Sequence, residues 1–237
     1  MATLHRFFVE KIGQETYLTG DEYSHAKNVL RLKEGDEVLL LDGSGREYDA
    51  VIAQVGKREM LLNVLGSNPS DKECSEDVRL LIGALKGDKT ELVVQKATEL
   101  GVSGICVFHS RFCSAYMNEN KLQRLQKVAR EAAKQCLRAT VPEITYMELP
   151  AALDSCAGYK NKLFACEFAK SSDADLHKLS GSCALVVGSE GGFSAEEAET
   201  AKEKGFSLIT LGRRILRAET AAIALTTAVM FALGEWQ

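Results

Sequence analysis

From residue 78 onward, short apolar runs alternate with longer segments of helical period, and this rhythm constrains the fold more than any other feature. Residues 78–85, 105–108, 163–166, 184–187 and 208–211 read as strands. Residues 90–100, 120–137, 195–204 and 220–233 read as helices, with apolar side chains returning every three or four positions. Apolar strands separated by helices imply a parallel sheet covered on both faces, an α/β architecture.

The first part of the chain has a different rhythm. Residues 6–9, 37–41, 48–55 and 60–65 read as short strands punctuated by Gly turns, with a short helix over 21–32. Asp42-Gly43-Ser44-Gly45 has hairpin-turn composition. Close-spaced short strands suggest a small barrel or sandwich. Residues 66–72, Gly-Ser-Asn-Pro-Ser-Asp-Lys, read as a linker rich in turn formers. The expected division is therefore a β-domain over 1–70 and an α/β domain over 71–237.

A length of 237 residues, 46% hydrophobic, suits one large domain or two small ones. The opening residues 1–8 lack a basic head followed by an apolar run, so no secretory leader is expected. The most apolar stretch, residues 221–233, is shorter than the roughly 20 residues a membrane helix needs. Seven dispersed cysteines without a Cys-x-x-Cys point to reduced thiols in a cytoplasmic setting, and four histidines without ligand spacing predict no metal. The net charge of -4 argues against indiscriminate nucleic-acid binding. Between residues 103 and 138, however, seven basic residues face two acids.

Two segments could carry chemistry. Gly188-Ser189-Glu190-Gly191-Gly192-Phe193-Ser194 joins a strand to a helix, and Ser194 with Glu197 has capping-box spacing. Paired glycines at the end of a parallel strand let the backbone approach a ligand; a plain tight turn explains them equally well. The loop is neither Gly-x-Gly-x-x-Gly nor a Walker loop, which counts against a Rossmann dehydrogenase. The second segment, Leu211-Gly212-Arg213-Arg214-Ile215-Leu216-Arg217-Ala218-Glu219, sets three arginines and a glutamate before a very apolar helix. An anionic-ligand site and a structural Arg–Glu pair both fit that pattern.

Two further groups could hold nucleic acid. Lys121, Arg124, Lys127, Arg130, Lys134 and Arg138 fall on one side of a helix, a pattern that fits a solvated face as well as a phosphate-contacting one. His5, Arg6, His25, Lys27 and Arg31 lie in the β-domain, where each taken singly reads as plain surface.

Together these segments resemble the 16S ribosomal RNA uridine-N3 methyltransferase family, a branch of the SPOUT methyltransferases. The likeness rests on His5-Arg6-Phe7-Phe8-Val9, His25-x-x-x-Val29-Leu30-Arg31, Gly35-Asp36 with Asp42-Gly43, Gln95-Lys96-Ala97-Thr98-Glu99-Leu100-Gly101-Val102, Glu131-Ala132-Ala133-x-Gln135-x-x-Arg138, and the two segments above. Ser189 stands where the family usually has proline, and Ser24 precedes His25 where many members have a second histidine.

The resemblance implies a PUA-like β-barrel followed by a SPOUT domain with a trefoil knot, S-adenosylmethionine as cofactor, a homodimer, and 16S ribosomal RNA or the small ribosomal subunit as partner, with no membrane and no metal. Cofactor contacts would fall on Gly188, Glu190, Gly191, Gly192, Leu211, Gly212, Ile215, Leu216 and Arg217, and loosely on residues 163–167. Arg217 would stabilise the uracil anion, with Glu219 orienting it or accepting a proton. His5, Arg6, His25, Lys27, Arg31, Arg138 and Arg214 would contact RNA. A PUA-like binder that holds cofactor without turnover is the rival of a different class.

Overall fold

A computed structural model describes residues 4–167, 169 and 172–236. Met1, Ala2 and Thr3 of the opening stretch lie outside the described residues. The chain forms two compact units, Met1–Glu73 with Ala133–Val141, and Cys74–Ala132 with Pro142–Gln237. The first unit is thus discontinuous in sequence, and it extends past the expected boundary at residue 70.

The first unit holds a mixed five-stranded sheet, β1 (His5–Phe8), β2 (Glu15–Leu18), β3 (Glu37–Leu41), β4 (Arg46–Val55) and β5 (Met60–Pro69), ordered β1-β3-β4-β5-β2. Only β1 and β3 run parallel. Register shifts in β4, one between Asp49 and Ala50 and one between Ile52 and Gln54, bend the strand and help curl the sheet into a half-barrel. Phe7, Leu18, Val38, Leu40, Ile52, Met60 and Leu62 fill it. The helix expected over 21–32 is α1 (Gly20–Ser24) running into a π-helical turn (His25–Val29). The expected linker is a correction: Gly66 to Pro69 continue β5, paired with Asp49 to Arg46, because ladder pairing overrides the turn propensity of Gly, Ser, Asn and Pro.

The second unit holds six parallel strands, β6 (Val78–Gly83), β7 (Gly104–His109), β8 (Glu143–Glu148), β9 (Asn161–Ala165), β10 (Cys183–Val187) and β11 (Ser207–Ile209), ordered β11-β9-β10-β6-β7-β8. Its helices are α2 (Lys89–Glu99), α3 (Glu119–Gln135, whose last three residues belong to the first unit), α4 (Leu149–Asp154), α5 (Ala195–Glu203) and α6 (Ala218–Ala232). All five residues of β10 are buried, as a central strand covered on both faces requires. Leu81, Phe108, Phe164, Ala184, Val186, Phe206 and Leu208 pack with α4 and α5 residues in one cluster. Helix α6 packs on α2 and against β6 and β10. This layering brings the C-terminal ends of β6, β9, β10 and β11 to one side, where open parallel sheets take their ligands.

Candidate active site

The glycine loop leaves β10 and enters α5 through the expected cap. Ser194 Oγ accepts from Glu197 N at 3.2 Å, and Glu197 Oε2 accepts from Ser194 N at 2.8 Å. Between these ends the loop is a tight turn, with Gly192 N donating to Ser189 O at 3.0 Å and Gly192 at φ +66°. Its glycines are demanded by close approach. A Cβ on Gly191 would lie 2.7 Å from Phe112 Cβ and from Phe112 O. One on Gly83, at the end of β6, would lie 2.5 Å from Ser189 N. Ser189 itself is buried; its hydroxyl donates to Phe112 O at 3.5 Å and accepts from Gly191 N at 3.4 Å.

The loop and the arginine segment meet through a residue that sequence reasoning missed. Glu190 Oε1 accepts from Lys86 N at 3.1 Å and from Lys89 Nζ at 3.2 Å, and Lys89 Nζ lies 4.0 Å from Glu219 Oε2. Burial pulls the Glu190 carboxyl upward, but backbone N–H groups of Glu190 and Lys86 and the Lys89 ammonium outweigh it and hold the pKa below the ordinary value. Glu219 Oε2 is buried and makes no hydrogen bond among the described residues. Neither Lys86 nor Lys89 belongs to a local motif; their partners are about a hundred positions away in sequence, beyond the reach of any spacing rule.

The arginine segment itself is open. Gly212 sits at φ +101° with nothing within 4 Å of an added Cβ. Arg213, Arg214 and Arg217 are exposed and have no ion-pair partner among the described residues, so the structural-pair reading of these arginines does not hold. Ile215 is 89% exposed, whereas Leu211 and Leu216 are half-buried. Arg217 occupies the N-cap position of α6 in extended conformation, its carbonyl accepting from Ala221 N at 2.8 Å. Upstream, Cys166 N donates to Ile209 O at 3.1 Å, and Glu167 Oε1 would lie 3.5 Å from a Cβ on Gly192. The ends of β9, β10 and β11 and the start of α6 therefore surround one locality.

Sequence profiles match along both units, an RNA methyltransferase domain over residues 72–230 and an RNA methyltransferase PUA domain over 18–65. Curated relatives named ribosomal RNA small subunit methyltransferase E include those of Bacillus subtilis, 30% identical over 96% of each chain, and Mesomycoplasma hyopneumoniae, 32% identical over 94% of this chain and 98% of the relative. The chain belongs to this family. Among solved members, the Neisseria gonorrhoeae enzyme bound to S-adenosyl methionine superposes with a TM-score of 0.89 at 29% identity, covering 99% of this chain and 100% of that one. A Legionella pneumophila methyltransferase with bound cofactor gives 0.86 at 27% identity, over 98% of each chain.

The residues present fit the family's cofactor. A Cβ on Gly191 would collide with Phe112 and one on Gly188 would be crowded at 3.0 Å from the Phe193 ring, Gly212 and Ile215 border open space, and Glu219 at the start of α6 carries a buried oxygen with no hydrogen-bond partner among the described residues. Among the described residues no His, Cys, Asp and Glu cluster could hold a metal ion, and no helix is long and apolar enough to cross a membrane.

Three of the residues expected to contact RNA have partners within the first unit. Arg6 donates to both oxygens of Glu47, at 2.9 and 3.2 Å, and to Leu137 O at 3.1 Å. Lys27 donates to Gly56 O at 2.9 Å and Tyr23 OH at 2.5 Å. Arg138 is 3% exposed and bound to Glu73 through Nε and NH2 at 3.0 and 2.8 Å. These three cations are occupied in holding the first unit together. His5, His25 and Arg31 are exposed, and Arg31 holds a left-handed φ of 56° that costs a non-glycine residue strain. The basic line of α3 is mostly engaged: Lys121 on Tyr116 O, Arg124 on Glu91, Lys134 on Glu22.

Proposed function

We propose that this protein transfers the methyl group of S-adenosylmethionine to N3 of a uridine in 16S ribosomal RNA, acting in the cytoplasm on the small ribosomal subunit. The observation that carries the proposal is the convergence of the Glu190 loop and the start of α6 on Lys89, at the C-terminal ends of the parallel strands. It occurs in a family whose named relatives methylate small-subunit ribosomal RNA.

S-adenosylmethionine, when bound, supplies a methyl group already activated on a sulfonium, so the protein's task is positioning and charge control. Gly188, Gly191, Gly192 and the open Leu211–Leu216 segment frame the donor from two sides. N3 of uracil must lose a proton as it takes the methyl group. Arg217, exposed and without a carboxylate partner among the described residues, stabilises the developing anion. Glu219, one of whose carboxylate oxygens has no hydrogen-bond partner among the described residues, orients Arg217 or takes the N3 proton. Arg214, His5, His25 and Arg31 contact the RNA. With much of the α3 basic line already paired, recognition relies on the shape of a ribonucleoprotein surface more than on bulk charge.

The same proposal includes a homodimer and a knotted C-terminal chain. Exposed Ile215, Phe231 and Trp236 support a covering copy. Hydrogen bonds from Cys166 N to Ile209 O and from Asp173 N to Leu208 O support the threading.

The test is to incubate the protein with methyl-labelled S-adenosylmethionine and small subunits from a strain lacking its gene, then map the modified nucleoside by mass. N3-methyluridine at one position is expected. Label at another base or ring atom would move the protein to a different RNA site, and cofactor binding without transfer would make it a silent binding module.

A further inference from the structure

We propose that Lys89 is a positioning residue for methyl transfer, its single ammonium tying the glycine loop to the start of α6 in the shape that accepts the methyl donor. The inference rests on the function proposed above and adds a residue that no motif supplied. Lys89 is the first residue of α2. Its backbone is fixed next door by Thr90, whose hydroxyl accepts from Leu85 N at 3.1 Å and donates to Leu85 O at 3.4 Å, closing the turn that follows β6. The ammonium therefore starts from an anchored base and reaches two carboxylates on separate segments, Glu190 at 3.2 Å and Glu219 at 4.0 Å.

The two acids depend on it unequally. Glu190 has a second donor in Lys86 N. Glu219 Oε2 has no hydrogen-bond partner among the described residues, and its side chain is 13% exposed. Removing the ammonium leaves two carboxylates facing each other across the junction of loop and helix. Their repulsion separates the glycine backbone from Leu216 and Arg217, the two edges between which the donor is held. Lys89 touches neither reacting atom, so its loss acts on cofactor affinity before it acts on the chemical step. The pair is one-third exposed, so its contribution to the stability of the empty fold is small.

The experiment compares wild type, Lys89→Met, Lys89→Arg, Glu190→Gln and the Lys89→Met/Glu190→Gln double variant. S-adenosylmethionine binding is read by calorimetry, the melting of the unliganded protein by circular dichroism, and kcat and KM with small subunits. Lys89→Met weakens binding and raises KM for the donor about tenfold, while kcat at saturation changes about threefold or less and melting moves by about 3 °C or less. Lys89→Arg restores affinity to within about twofold. The double variant binds no more weakly than Lys89→Met alone. Wild-type affinity in Lys89→Met, failure of Lys89→Arg to rescue, or full additivity of the two losses overturns the role of Lys89 and leaves the functional proposal standing. Failure of the wild type to bind the donor overturns both.

Discussion

The backbone of Phe112 runs so close to Gly191 that a single added carbon on the glycine would lie 2.7 Å from it. That contact holds the glycine loop against the Phe112 backbone. Gly191→Ala forces the loop or the Phe112 backbone to move. The expected cost is about 1–3 kcal/mol of stability, and loop displacement lowers donor affinity about tenfold or more. Thermal melting and calorimetry on the variant check both; an unchanged affinity would mean that the loop does not frame the donor.

Arg217 faces solvent without a carboxylate partner among the described residues, the state expected of a cation reserved for substrate. Arg217→Ala should slow methyl transfer about 100-fold, with donor affinity changed about threefold or less. Single-turnover rates beside equilibrium binding separate these effects. Near wild-type transfer with normal binding would remove Arg217 from the chemistry.

Glu73 organises the first unit around a buried cation. Burial raises its pKa, but hydrogen bonds from Thr140 and the charge of Arg138 more than offset this, so the folded value lies below the ordinary one near 4.5. A depressed carboxylate stabilises the fold fully above its unfolded pKa and loses that contribution as pH falls through the folded value. Acid melting curves should therefore show stability declining below about pH 4.5 in wild type and a flatter decline in Glu73→Gln. Arg138→Ala, which strands Glu73, should cost about 3 kcal/mol. A variant as stable as wild type would show the pair to be dispensable.

Removing residues 1–70 is a poor test of RNA binding, because Phe8 and Leu41 form a core cluster with Ala133 and Ala139. Stripping them uncovers apolar surface on the part that remains. The double variant His25→Ala/Arg31→Ala is the sharper probe, since both side chains are exposed. It should raise KM for small subunits about tenfold while leaving donor binding unchanged. An unchanged KM would remove these residues from the RNA contact.

The α/β half was legible because its central strands are buried on both faces and read as unbroken apolar runs, as in β10. Strand β8 escaped notice because it lies at the sheet edge and only Ile144 in it is buried. Helix α4 followed unseen; it is six residues long with Pro150 in its first turn, which a helix start tolerates but a periodicity scan rejects. Strand β2 alternates cleanly, Thr16 and Leu18 in, Glu15 and Tyr17 out, yet four residues are too few to stand out. At the candidate site the glycines and arginines were visible as motifs. Lys89 was not, since its meaning comes from carboxylates that only the fold brings near.

Amide hydrogen exchange with and without S-adenosylmethionine tests the central claim most directly. One pocket built from two distant segments predicts that donor binding slows exchange in residues 188–193 and 211–218 together, with the same dependence on donor concentration. Protection confined to one of the two stretches, or absent from both while the donor is bound elsewhere, would contradict it.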